Sequence, residues 1–182
     1  MKEMPSWKTV KSEPGPDLKL FKARFDYLQN PRNAAVERMI ILSGNDSTNI
    51  IPVLPDGRLL FVRQFRFGIN AETTELPGGI VDDGEDSRQA AERELREETG
   101  YSSQDWTYLG KVPSNPVFMD SYIHHWLAKD IKLTHQTDMD DEEWTEPLSL
   151  TPEDVKQQLQ NGGFQHPHTT NALMLLLLNQ GL

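Results

Sequence analysis

The 182-residue sequence contains no cysteine. That absence excludes a disulfide framework and thiol catalysis, and it removes the sulfur ligands of most structural zinc sites. Long apolar runs are also missing: the stretch Leu173–Leu178 is six residues, against the roughly 20 needed to span a bilayer. The opening Met1-Lys2-Glu3-Met4-Pro5-Ser6-Trp7 has no apolar segment of the signal-peptide kind. A soluble, cytoplasmic protein with no membrane partner is therefore expected. Positive charge is scarce, with 18 Lys and Arg against 28 Asp and Glu and a formal net charge of −10. Such a chain has no general field to attract nucleic acid, and a polyanionic ligand needs local arginines or divalent cations to reverse the sign.

What remains is enough for one core: 36% of residues are hydrophobic, and the length fits a single α/β or α+β domain. The proline-bearing head (Pro5, Pro14, Pro16) reads as an irregular lead-in, with the fold starting near Asp17. Alternating apolar residues from Leu18 to Tyr27, with a slip at Leu20-Phe21, predict an edge strand with a bulge. Further strands are expected at Ala35–Leu42, Asn49–Leu54, Arg58–Phe67, Trp106–Val112 and Tyr122–Leu133, with Pro55-Asp56-Gly57 closing a hairpin. Helices are expected at about Thr151–Gln160 and Thr169–Gln180. The clearest element is Asp86–Thr99, with Asp86 as N-cap, Gln89 as its reciprocal partner and Gly100 as the αL stop.

That helix carries the chemistry. Glu94 stands three and four residues before Glu97 and Glu98, so three carboxylates share one helix face, with Cβ atoms about 5–6 Å apart. A hard dication such as Mg²⁺ takes oxygen ligands from a few carboxylates plus substrate phosphates. The preceding Leu76-Pro77-Gly78-Gly79 turn offers a backbone that can approach closely, with carbonyls to complete a metal shell. Glutamate-rich helices with interspersed arginine are also common as solvated faces, and here the spacing decides. From Gly79 the pattern runs five residues to Glu85, seven to Arg93-Glu94-Leu95, one to Glu97-Glu98, and one to Gly100-Tyr101.

This spacing resembles the Nudix box at every defined position. The resemblance implies an α/β fold, the Nudix α/β/α sandwich with a mixed sheet between helices, as residues 46–182, preceded by an N-terminal β extension at 1–45 that serves dimerisation. It implies that Glu94, Glu98 and Glu97 hold magnesium or manganese together with the Gly78 carbonyl. Glu97 is alternatively the catalytic base, and Glu85 and Arg93 form an internal salt bridge. Ala91 and Leu95 pack under the sheet.

The flanks Phe61-Val62-Arg63-Gln64-Phe65-Arg66-Phe67 and Glu75-Leu76-Pro77-Gly78-Gly79 resemble the ADP-ribose pyrophosphatase and nucleoside diphosphate sugar hydrolase branch. The resemblance makes Arg63, Arg66 and Glu75 candidates for substrate binding, with Pro116 where this branch carries a proline. The branch pattern there is Ser-Pro-Gly, whereas this chain reads Asn115-Pro116-Val117, a departure that points to a broader or GDP-mannose-like preference. The acidic stretch Asp138–Glu146 resembles the loop that delivers a catalytic glutamate, with Glu143 first and Glu142 second. Trp144 is a candidate for stacking on a base. The pairs His124-His125 and His166/His168 read as structural, because adjacent strand residues face opposite sides and the second pair precedes a helix.

The implied reaction is metal-assisted attack of water on phosphorus in a nucleoside diphosphate sugar such as ADP-ribose or GDP-mannose, giving a nucleoside monophosphate and a sugar phosphate. Alternatives are triphosphate or RNA-cap pyrophosphohydrolysis, and a Nudix-fold sensor that binds without turnover. Such sensors commonly lose box carboxylates, and this chain keeps them all.

Overall fold

The computed structural model describes residues 4–138 and 144–179. The chain divides into two compact units, one formed by residues up to Asn45 with Pro113–Tyr122, the other by Asp46–Val112 with Ile123 onward.

The first unit is built on the antiparallel sheet of β1 (Lys8–Asp17), β2 (Lys22–Gln29) and β3 (Val36–Ser43), in the order β1-β2-β3. This corrects the expected irregular head: pairing begins at Lys8 and runs through Pro14. Proline is tolerated there because β1 is an edge strand, where a missing N–H need not break a ladder, and the register shifts between Pro14 and Asp17. The expected bulge at Leu20-Phe21 is instead a turn, closed by Leu18 N–H on the Phe21 carbonyl at 2.8 Å with Lys19 at φ 67°. Segment 113–122 joins this unit, with Leu42 N–H on the Phe118 carbonyl at 2.7 Å and Asp120 bonded by both Arg24 and Ser43.

The second unit carries β4 (Ser47–Pro52), β5 (Leu59–Arg66), β6 (Ala71–Glu75), α1 (Ser87–Thr99), β7 (Tyr101–Ser102), β8 (Asp105–Pro113), β9 (Tyr122–Lys129), β10 (Lys132–Leu133), β11 (Thr145–Leu150), α2 (Pro152–Asn161) and α3 (Pro167–Asn179). Its main strands form β4-β9-β8, with β4 parallel to β9, and β11-β5-β6. The Pro55–Gly57 turn is present, but β4 and β5 enter different sheets, with the bridge Val53↔Leu59 and the Leu54 N–H on the Arg58 carbonyl at 2.9 Å closing the turn between them. The expected strand Tyr122–Leu133 breaks at Asp130, whose φ of 49° a ladder cannot continue.

Period-2 alternation places this core. Ile51, Leu59, Phe61 and Leu127 face Val155, Phe164, Ala172 and Leu173 of the α2–α3 side. Their neighbours Ile50, Leu60 and Ala128 face Ala91 and Leu95 of α1. Strands buried on both faces between helices are the sandwich expected from the sequence.

Candidate active site

The glutamate helix is fixed at both ends by local chemistry. Asp86 accepts from Arg88 N and Gln89 N at 2.8 and 2.9 Å, and the Gln89 side chain accepts from Asp86 N at 2.9 Å. Gly100 closes the helix at φ 75°. Between these caps, α1 buries Ala90, Ala91, Glu94, Leu95, Glu98 and Thr99. Two carboxylates thus lie on the face that packs inward, Glu94 at 9% and Glu98 at 4% exposure, where an ionised group is costly without a partner.

The glycine turn lies directly against them. It is pinned to β4 by Thr48 N–H on the Gly79 carbonyl at 2.8 Å and Ile50 N–H on the Pro77 carbonyl at 2.9 Å. Glu98 Oε2 accepts the Gly78 N–H at 2.9 Å. A Cβ at Gly79 would meet Glu94 Oε1 at 2.3 Å, and one at Gly78 would meet the Thr48 carbonyl oxygen at 2.2 Å. Close approach to a strand backbone therefore requires glycine at 78, while at 79 a Cβ would press on the free end of the Glu94 side chain.

Arg93 ties the loop to the helix more extensively than the expected single salt bridge. Its guanidinium donates to Glu85 at 3.0 and 3.2 Å, to Glu94 at 2.8 Å, to Glu97 at 3.2 Å and to the Ile80 carbonyl at 2.8 Å. The Glu85 hydrogen bonds are the largest influence holding the Arg93 proton more tightly than usual, and Arg93 in turn holds the Glu85 carboxyl below its ordinary range. Only the Glu85 partner was legible in the sequence.

Arg63 pairs with Glu146 and, at 4.0 Å, Glu72. It lines a groove of about 140 Å³ with Gln64, Phe65, Glu72, Trp144 and Glu146, in which Trp144 is 77% exposed. Thr145, adjacent to Trp144, donates through its hydroxyl to the Glu98 carbonyl at 3.4 Å, so this strand end abuts the glutamate helix. Arg66 instead grips Glu75 with two bonds of 2.8 and 2.7 Å, and Glu75 is 1% exposed. Pro116 belongs to the other compact unit, in a turn where Met119 N–H reaches the Asn115 carbonyl at 2.8 Å. Glu142 and Glu143 lie outside the described residues.

The histidines divide as the sequence implied. His124 bonds Asp46 at 2.9 Å and Tyr108 at 3.0 Å, while His125 faces the interior with no exposure. Sequence reasoning missed that His166 Nδ1 lies 3.2 Å from Glu75 Oε2, because nothing local relates a strand end to a helix so far along the chain.

Among the described residues, no three carboxylate or imidazole side chains converge tightly enough to chelate an ion as they stand. The donor set nevertheless fits a hard dication. It is all oxygen, two of its carboxylates are buried on one helix face, and Gly79 leaves room beside Glu94 that any side chain would fill.

Comparison with known proteins adds four findings. Residues 45–170 match the NUDIX domain family. The chain is 27% identical over 176 residues to an ADP-ribose pyrophosphatase of Bacillus subtilis (strain 168), covering 96% of this chain and 95% of that one. Identity and coverage are the same for a methanol dehydrogenase activator of Bacillus methanolicus. Among solved structures, the crystal structure of an ADP compounds hydrolase superposes with a TM-score of 0.85 at 23% identity, over 100% of this chain and 99% of that chain, which shows a shared fold.

Proposed function

The chain belongs to the NUDIX family, and on that premise we propose that it is a metal-dependent pyrophosphatase acting on a nucleoside diphosphate sugar. The observation that carries this reading is the burial of Glu94 and Glu98 against the Gly78-Gly79 turn. Similarity over nearly the whole chain to a protein named as an ADP-ribose pyrophosphatase supports the substrate class.

Glu94, Glu97, Glu98 and the Gly78 carbonyl are the groups that would hold Mg²⁺ or Mn²⁺. A bound dication neutralises the diphosphate and acidifies water. Water oxygen bonds to one phosphorus, the bridging P–O bond breaks, and the products are a nucleoside monophosphate and a sugar phosphate. A carboxylate accepts the proton of the attacking water, and Glu97, Glu142 and Glu143 are the candidates. Arg63 is the proposed cationic contact for the diphosphate, for which it would leave Glu146 and Glu72, and Trp144 in the same groove offers a face for the base. Arg66, held by Glu75, completes the proposed substrate contacts of this unit.

A cytoplasmic homodimer belongs to the same proposal. Val10, Val36 and Ile40 are each at least half exposed on β1 and β3, and a second copy packed on this sheet would cover apolar side chains of that kind.

The test is a panel of ADP-ribose, GDP-mannose, UDP-glucose, ADP-glucose and a nucleoside triphosphate, assayed with Mg²⁺ and Mn²⁺ and with products identified by mass. Monophosphate plus sugar phosphate is expected. Pyrophosphate release from the triphosphate alone, or binding without turnover, would overturn the reading.

A further inference from the structure

Glu75, the last residue of β6, is 1% exposed. A carboxylate so buried is tolerated only with several partners. Arg66 of β5 donates two bonds, the Thr73 hydroxyl a third, and His166 Nδ1 lies 3.2 Å from Oε2. Burial pushes the Glu75 carboxyl up, but Arg66, His166 and Thr73 together hold it below its ordinary range. The His166 imidazole is driven the other way, down to about 4 by its own burial, against the pull of Glu75. At this distance His166 Nδ1 faces the Glu75 carboxylate, and the same nitrogen is within hydrogen-bond reach of the Thr169 hydroxyl.

The same helix start makes a second attachment. Thr169, with no exposure, accepts the Leu76 N–H on its hydroxyl at 3.1 Å, and that hydroxyl lies 3.4 Å from His166 Nδ1. The beginning of α3 therefore holds both sides of the Glu75–Leu76 link, the carboxylate of one residue and the N–H of the next. Two residues on, Gly78 N–H meets Glu98. The glycine turn thus has two anchors, α1 at its far end and α3 at its root.

We propose that His166 is a positioning residue: with the proton of a neutral ring carried on Nδ1 and turned to Glu75, it lets α3 fix the root of the glycine turn and so the placement of Gly78 against Glu98. The catalytic consequence rests on the diphosphatase reading of that turn, whereas the structural consequence does not.

Two substitutions separate the outcomes. In His166→Asn the side-chain amide nitrogen falls near the Nδ1 position and can still donate to Glu75. In His166→Gln the amide falls near Nε2 and cannot. Amide hydrogen exchange on the metal-free protein should show the Leu76 and Gly78 N–H groups exchanging at least tenfold faster in His166→Gln, while His166→Asn stays close to wild type. In the turnover assay His166→Gln should lose about 10- to 100-fold in kcat, the usual scale for a supporting residue behind a site, with KM changed less than threefold and His166→Asn restoring most of the loss. Unchanged exchange in His166→Gln, or equal losses in both variants, would overturn the proposal. Absence of nucleotide-sugar turnover in the wild type would overturn the diphosphatase reading alone, since the exchange arm needs no substrate.

Discussion

The two adjacent glycines of the turn should respond oppositely to the same substitution. In Gly79→Ala the new Cβ would sit 2.3 Å from Glu94 Oε1 and 2.5 Å from its Cδ, both at the free end of a side chain. Ordinary van der Waals contact starts at 3.4 Å, so the carboxylate must move by 3.4 − 2.3 = 1.1 Å. It can do so by rotating within its own side chain, at the expense of the 2.8 Å bond from Arg93. The backbone is little disturbed, and stability should stay within about 1 kcal/mol of wild type. A misplacement of roughly 1 Å in a reacting constellation costs about 10²-fold in rate, equivalent to about 2.7 kcal/mol of barrier. In Gly78→Ala the Cβ would meet the Thr48 carbonyl oxygen at 2.2 Å and the Asn49 Cα at 2.9 Å, both backbone atoms of a buried strand. Neither can rotate away, and overpacking of this kind costs about 1–3 kcal/mol or more. At roughly 2–4 °C per kcal/mol for a chain of this size, Tm should fall by about 2–12 °C. Calorimetry alongside steady-state kinetics separates the two: Gly79→Ala should lose about 10²-fold in kcat with Tm nearly unchanged, and Gly78→Ala should lose stability first. The reasoning fails if Gly79→Ala keeps kcat within threefold of wild type, or if its Tm falls as far as that of Gly78→Ala.

Glu98→Gln and Glu94→Gln keep side-chain shape but remove charge from the proposed metal site. Each should cost several kcal/mol of transition-state stabilisation, roughly 10²-fold or more in turnover, with circular dichroism and Tm retained; full activity in both would sink the assignment. Stability should also depend on pH through His125, which burial, aided by His168 and His124, pushes down to about 4. Below pH 6.5 the unfolded chain takes up a proton that the folded chain refuses until about pH 4, so stability falls as pH drops through that window, by about 3 kcal/mol for this group. His166 is also pushed down to about 4 and adds to the same window. Urea titrations at stepped pH should therefore show His125→Leu flattening the slope without abolishing it, and an unchanged slope would refute the role given to His125. Light scattering of the full chain should return twice the chain mass, with Ile40→Lys on the exposed β3 face shifting it toward the monomer; a monomeric wild type would remove the dimer.

Recognition of α1 needed nothing beyond its own residues. The capping box from Asp86 to Gln89 and the αL stop at Gly100 are hydrogen bonds within three or four residues, and the order of Gly79, Glu85, Glu94, Glu97 and Glu98 is a property of spacing. Thr151 capping α2 and the alternation of Ile50 with Ile51 are legible for the same reason. The sequence-based expectation failed for β1, where composition argued against a strand and only the edge position beside β2 lets Pro14 be accommodated. It failed again where β4 and β5, joined through the Pro55–Gly57 turn, part into different sheets. In the site, spacing supplied the carboxylates and the glycines, but not the reach of Arg93 to Glu94 and Glu97 or the approach of Gly79 to Glu94. Least legible was the meeting of Arg66, Glu75, His166 and Thr169. Patterns in a chain report bonds made between near neighbours. A buried carboxylate whose partners come from two strands and a distant helix acquires its surroundings only when the core closes, and so the tertiary structure alone decided what Glu75 and His166 do.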